Sequence, residues 1–224
     1  MGVPVVPVEV ESYGTLQYLL VEGTLDGGML SAYDFVCADE VLPLHVAATP
    51  IVSGSLSYHA YVVVMADQPV RRIRGLADLE GAPIGYVSDR SASGWAYPAA
   101  MLLDAGMDPT RGARFLGGHH EVVSAVEEGS VLAGAVYSGV FEGAPLSVVA
   151  KSAPIPYDAW VLRGDLPVEA AMALGEALAS IDTRTGQGRE LLEPLHGING
   201  FVVVDDGHYD GVRQVRATLA AAGL

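Results

Sequence analysis

The stretch Tyr86-Val87-Ser88-Asp89-Arg90-Ser91-Ala92-Ser93-Gly94-Trp95-Ala96-Tyr97-Pro98 reads as a buried strand, a small polar loop and the start of a helix. Pro98 fits only in the first helical turn, where its missing N–H breaks no helix bond. The helix therefore begins close to Gly94, and the N–H groups of about Ser93 to Ala96 lack intrahelical acceptors. The helix dipole adds roughly half a positive charge there. Ser91 and Ser93 supply hydroxyl donors, and Gly94 would let a ligand approach the backbone. Together these favour an oxyanion at the carboxyl end of a parallel strand. A helix-capping role for Ser91 or Ser93 accounts for part of the same pattern. Arg90 reads equally as a charged contact or a solvated loop residue.

Outward from this stretch, strands and helices alternate, which points to a mostly parallel sheet covered on both faces. Strands are expected at Val3–Val10, Leu25–Leu30, Val41–Thr49 and Tyr58–Met65, with helices at Gly14–Glu22 and Ala32–Asp39. The polar run Asp67–Arg74 reads as a crossing, after which the alternation restarts at Pro83. A second crossing is expected at Tyr157–Leu162, followed by a helix over Pro167–Ser180. The expected fold is α/β with two lobes joined by a double crossover hinge. Residues 1–66 and 163–224 form the first lobe, and 67–162 form an inserted second lobe that carries the serine-rich loop.

Half of the 224 residues are hydrophobic and 17% are charged, so a sizeable core is available. The net charge of −15, from 12 basic and 27 acidic residues, argues against nucleic acid and anionic membrane surfaces. A small anion remains compatible, because backbone N–H groups bind it without net positive charge. Cys37 is the single cysteine, so no intramolecular disulfide forms, and a buried structural thiol is expected. No run of about 18 apolar residues suggests a membrane span. The residues Met1-Gly2-Val3-Pro4 do not read as a secretory leader, so the chain as written is expected to be cytoplasmic.

Six stretches carry a family resemblance. Ser91-Ala92-Ser93-Gly94 with Tyr97-Pro98 resembles the Ser-Ser-Thr-Ser-Gly…Tyr-Pro motif of phosphate/phosphite/phosphonate-type periplasmic binding proteins. Asp78-Leu79-Glu80-Gly81 is similar to that family's Asp-Leu-x-Gly turn, and Gly118-His119-His120-Glu121 to its Gly-Ser-His-Asp. Ala133-Gly134-Ala135-Val136-Tyr137 resembles its Ala-Gly-Ala-Val-Tyr strand. Lys151-Ser152 with Ile155-Pro156 and Asp158 resembles its second crossing, and Gly200-Phe201 with Tyr209-Asp210 its C-terminal end. The resemblance implies a type II periplasmic-binding-protein fold that closes on a phosphonate, phosphite or phosphate for an ABC importer. It places Ser91 and Ser93 on the oxyanion, with His120 and Asp158 on the opposite parts of the cleft. Ala92 departs from the family's Thr. Phe35 stands where the family has a Tyr near the cleft, with Tyr33 as a substitute. The family's leading strand and helix precede the part that matches, so exposed sheet edges and self-association into a homo-oligomer are expected.

The expected ligand-binding set is Ser91, Ala92, Ser93, Gly94, His120, Asp158, Tyr137, Ser31, Tyr33 and Tyr58, with an ABC permease as possible partner. No cofactor is expected. His119 and His120 point in different directions on a helix and have no further ligand at metal spacing, so no metal is expected. Trp95 either flanks the ligand or packs between lobes. Two other functions use the same fold: a cytoplasmic lyase- or dehydratase-like enzyme on small carboxylates, and a ligand sensor. No nucleophile–base pair is readable from spacing, although such arrangements are spatial.

Overall fold

The computed structural model describes residues 5–67, 73–195 and 197–224. The chain first forms α1 (Tyr13–Val21), β1 (Gly27–Leu30), α2 (Ala32–Asp39), β2 (Leu44–Val52), β3 (Ser57–Tyr58) and β4 (Ala60–Met65). Next come β5 (Ile84–Tyr86), α3 (Tyr97–Asp104), β6 (Ala113–Phe115), α4 (His119–Glu127), β7 (Ala133–Tyr137) and β8 (Leu146–Lys151). It ends with β9 (Ile155–Pro156), β10 (Ala159–Arg163), α5 (Val168–Ala179), α6 (Gly186–Leu192), β11 (Ile198–Val202) and α7 (Asp210–Ala221). The helix α2 begins where Ser31 Oγ accepts the Asp34 N–H at 3.1 Å and donates back to Asp34 Oδ2 at 2.7 Å. This is a reciprocal cap, with Asp34 three residues into the helix.

Two sheets organise these elements. A four-stranded sheet runs β1-β10-β2-β11, and a five-stranded sheet runs β6-β5-β7-β4-β8. The expectation of mostly parallel strands holds only at β5, which is parallel to β6 and β7. Every pair in the four-stranded sheet is antiparallel, as are β4–β7 and β4–β8. The physical reason lies in β4 and β10. Each is the strand by which the chain enters a sheet from the other one, so each runs against the strands laid down by local strand–helix–strand units.

That same fact moves the crossings. The sequence pattern puts residues 60–65 with the first lobe and 159–162 with the second, whereas β4 lies in the five-stranded sheet and β10 in the four-stranded one. The chain passes between sheets around β3 and β9, which pair with each other as Ser57↔Pro156 and Tyr58↔Ile155. Residues 68–72 of the expected first crossing lie outside the described residues. Residues 5–10 form no strand, and Val5, Val6 and Val8 are exposed. A strand needs a hydrogen-bonding partner, and β1, paired with β10, ends its sheet with no further strand beside it among the described residues.

The main core joins both sheets. Leu30, Phe35, Tyr86, Ile155 and Tyr209 are fully buried members of one cluster. Phe35 meets Tyr209 edge-on at 4.9 Å, which ties α2 to the turn leading into α7. Burying side chains of this size stabilises by about 1.5–3 kcal/mol each. Among the described residues no helix is long and apolar enough to cross a membrane.

Candidate functional site

Ser91 opens the serine-rich turn, and its Oγ accepts the Gly94 N–H at 3.0 Å. Residues 92–96 form a wide π-type turn, closed by Ala96 N–H to Ser91 C=O at 3.0 Å, that runs directly into α3. The expected free N–H groups therefore shift towards the start of the turn. Those of Gly94 and Ala96 are used, and the leading positions Ala92 and Ser93 face the cavity. Because the Ser91 hydroxyl oxygen only accepts from Gly94, its own proton remains available to donate.

The turn forms one wall of a cavity of about 800 Å³. Ser31 at the cap of α2, Asp34 within it, and the loop residues Ser12 and Ser53 line it from the side of the four-stranded sheet. Tyr58, Tyr137, Tyr157, Asp158 and His119 complete the wall around the crossings. Tyr157 stacks on Tyr58 at 5.1 Å, Tyr58 meets Tyr137 edge-on at 6.5 Å, and Tyr137 meets His119 edge-on at 4.6 Å. These rings form a continuous aromatic chain in a cavity that the serine-rich turn also lines.

The titrating groups follow from burial. Burial pushes the Tyr58 hydroxyl well above the ordinary tyrosine range; a hydrogen bond from Ser93 opposes this, and the nearby Asp158 charge adds to it. Burial lowers His119 to about 4, helped by the charge of His120, so its imidazole is neutral at pH 7. The backbone of Asp158 is held by Thr49 Oγ1, which donates to its carbonyl at 3.1 Å. Tyr209 OH donates to the carbonyls of Tyr157 and Asp158 at 3.2 and 3.3 Å. This fixes where the Asp158 side chain leaves the crossing.

Seven of the ten expected residues lie on the cavity wall: Ser31, Tyr58, Ser91, Ala92, Ser93, Tyr137 and Asp158. Three do not. His120 is exposed, because α4 starts at His119 and successive helix residues diverge by about 100°; His119 takes the wall position. Gly94 lies behind the turn, where an added Cβ would come within 2.4 Å of Val87 Cγ2, so its role is packing against the end of β5. Tyr33 is buried on the far side of α2, with its hydroxyl beside Cys37 and pushed up to about 12 by burial. Cys37 itself is half-buried, with its thiol also pushed up by burial. Trp95 is not among the cavity-lining residues; it belongs to the core cluster that joins both sheets and sits edge-on to Tyr86 and Phe115 at 4.9 and 5.2 Å.

Sequence reasoning missed Asp34, Ser53, His119 and Tyr157. Asp34 was signalled by the Ser31-x-x-Asp34 capping pattern, and His119 by its place at the helix start. Ser53 has a positive φ of 48° in the tight turn between β2 and β3. Nothing local singles it out. Arg90 lines the cavity as well, and its guanidinium pairs with the Asp34 carboxylate and the Gln17 side-chain oxygen. Among the described residues no group of three or more His, Cys, Asp or Glu side chains converges as metal ligands would. What the arrangement offers is hydrogen bonding to an anion beside an aromatic surface.

Comparison with known proteins gives the same direction. The family described as ABC transporter, phosphonate, periplasmic substrate-binding protein matches residues 1–209. Among solved structures, PhnD1 from Prochlorococcus marinus in complex with methylphosphonate is 19% identical with a TM-score of 0.76, covering 95% of this chain and 85% of that one. The XAC2383 protein from Xanthomonas citri bound to ATP has a TM-score of 0.80 at 16% identity, covering 95% of this chain and 84% of that one. A binding protein component of an ABC phosphonate transporter from Pseudomonas aeruginosa has a TM-score of 0.73 at 19% identity, covering 92% and 72%.

Proposed function

Because this chain belongs to the family of periplasmic substrate-binding proteins of phosphonate ABC transporters, we propose that its cavity holds a phosphonate, phosphite or phosphate against the Ser91–Ala96 turn. The protein binds a small oxyanion reversibly as the solute-binding component of an importer. In this reading the Ala92 and Ser93 N–H groups and the Ser91 hydroxyl donate to the oxygens, while the Ser93 hydroxyl is spent on Tyr58. The aromatic face of Tyr58, Tyr137 and Tyr157 meets the hydrogen or carbon substituent on phosphorus. His119, neutral, and Asp158 line the remaining side.

The observation that carries the reading is the turn itself, with donors converging on one cavity wall at the positive end of a helix. Each charge-assisted hydrogen bond contributes about 1.5–3 kcal/mol. Three such bonds reach roughly the 8 kcal/mol of a micromolar ligand, before the costs of association are set against them. The paired β3 and β9 segments form the hinge. One lobe comprises residues 5–56 and 159–224, and the other the described residues from 57 to 158. This division is supported by the sheet to which each strand belongs.

A thermal-shift panel tests the ligand class with phosphate, phosphite, methylphosphonate, 2-aminoethylphosphonate, sulfate and short carboxylates. A saturable rise with at least one phosphorus oxyanion is expected, since a ligand of the folded state raises its stability. A rise only with carboxylates or sulfate, or with nothing, overturns the assignment.

A further inference from the structure

Arg90 sits one residue before the oxyanion turn and spends its charge across the cleft. Its guanidinium meets Asp34 on α2 and Gln17 on α1, both from the lobe built on the four-stranded sheet. Asp34 is only 2% exposed, and its other oxygen already accepts the Ser31 hydroxyl at 2.7 Å. The arginine side chain keeps 43% of its surface exposed. A carboxylate this buried needs a partner, because an unpaired buried charge costs several kcal/mol. That partner is delivered only when the 88–91 loop lies against α2.

We propose that Arg90 and Asp34 form a latch that holds the lobes closed over the oxyanion turn, making Arg90 a positioning residue that does not itself touch the ligand. This rests on the hinged two-lobe reading above. The geometry sets two uses of Arg90 against each other. Arg90 and Asp34 both line the cavity, and a guanidinium engaged with Asp34 and Gln17 has its charge committed there, whereas one engaged with the oxyanion would leave Asp34 buried and unpaired. Opening the lobes separates the pair but returns both charges to water, so the latch favours closure only to the extent that the bidentate-capable arginine is held in place. Lysine, a point charge without the fork, reproduces it poorly.

The two uses predict opposite results for Asp34→Asn, which keeps the shape and the Ser31 contact of the side chain. With a latch, Asp34→Asn and Arg90→Met each weaken methylphosphonate binding at least tenfold, chiefly by faster dissociation. The double variant then binds no more weakly than either single one. With direct contact, Asp34→Asn frees Arg90, and binding tightens or holds; that result overturns the latch. Small-angle scattering of the ligand-free proteins gives a second readout independent of any ligand. The wild type is expected to be compact and both single variants expanded, with the difference shrinking at high salt. A wild type already as expanded as the variants overturns the proposal. If methylphosphonate fails to bind at all, the ligand assignment fails and the scattering alone decides the latch.

Discussion

Replacing Ser91 by alanine removes one hydroxyl with two jobs. Its oxygen accepts the Gly94 N–H at 3.0 Å, which caps the turn, and its proton is free for the ligand. Loss of a serine cap costs about 1 kcal/mol of stability. Loss of a hydrogen bond to an anion costs a further 1.5–3 kcal/mol of binding, which is roughly a 10- to 150-fold weaker dissociation constant. Ser91→Asp separates the two effects, since a carboxylate still accepts from Gly94 but places a negative charge against the oxyanion. Stability of the ligand-free protein by urea denaturation, and methylphosphonate affinity by calorimetry, should therefore respond differently. Ser91→Ala should lower both. Ser91→Asp should keep stability near that of the wild type and abolish measurable binding. If Ser91→Ala loses stability yet binds as the wild type does, the hydroxyl is only a cap. If Ser91→Asp binds normally, the oxyanion does not sit at this turn.

Gly94→Ala forces a methyl group within 2.4 Å of Val87 Cγ2, so a loss of about 1–3 kcal/mol is expected in denaturant titration; Val87→Ala in the same chain should restore part of it. His119 has its folded value lowered to about 4 by burial, below the ordinary histidine value of 6.5. Between those values the unfolded chain binds more protons, so stability should rise with pH across that window. The thermal midpoint of His119→Gln should consequently fall less than that of the wild type on acidification from pH 7 to pH 5. An equal fall in both would show that His119 is not the group responsible.

Much of the site was legible because its determinants are local. A strand ending at Val87, two serines, and a proline that tolerates only a first helical turn specify, within a dozen residues, the strand–turn–helix junction that the proposed oxyanion site uses. Three of the seven expected cavity residues, Ser91, Ala92 and Ser93, belong to that turn; Ser31, Tyr58, Tyr137 and Asp158 come from distant segments. Where the sequence reading failed, the deciding contact was distant. His119 replaces His120 because the helix start is set by how α4 packs, and a one-residue shift turns the side chain by about 100°. Gly94 serves packing because β5 passes behind it.

The amino-acid sequence alone determined the alternating α/β class, the passage of the chain between two sheets and the place of the serine-rich turn before a helix. These rest on periodicity, capping and backbone preference, which act over a few residues. Only the tertiary structure decided the strand order of the two sheets, the pairing of β3 with β9 between them, and the absence of a strand at residues 5–10. It alone brought Arg90 to Asp34, 56 positions apart in a 224-residue chain. Strand pairing and ion pairing are completed by partners far away in sequence, and a local pattern carries the capacity for such a contact without naming its partner.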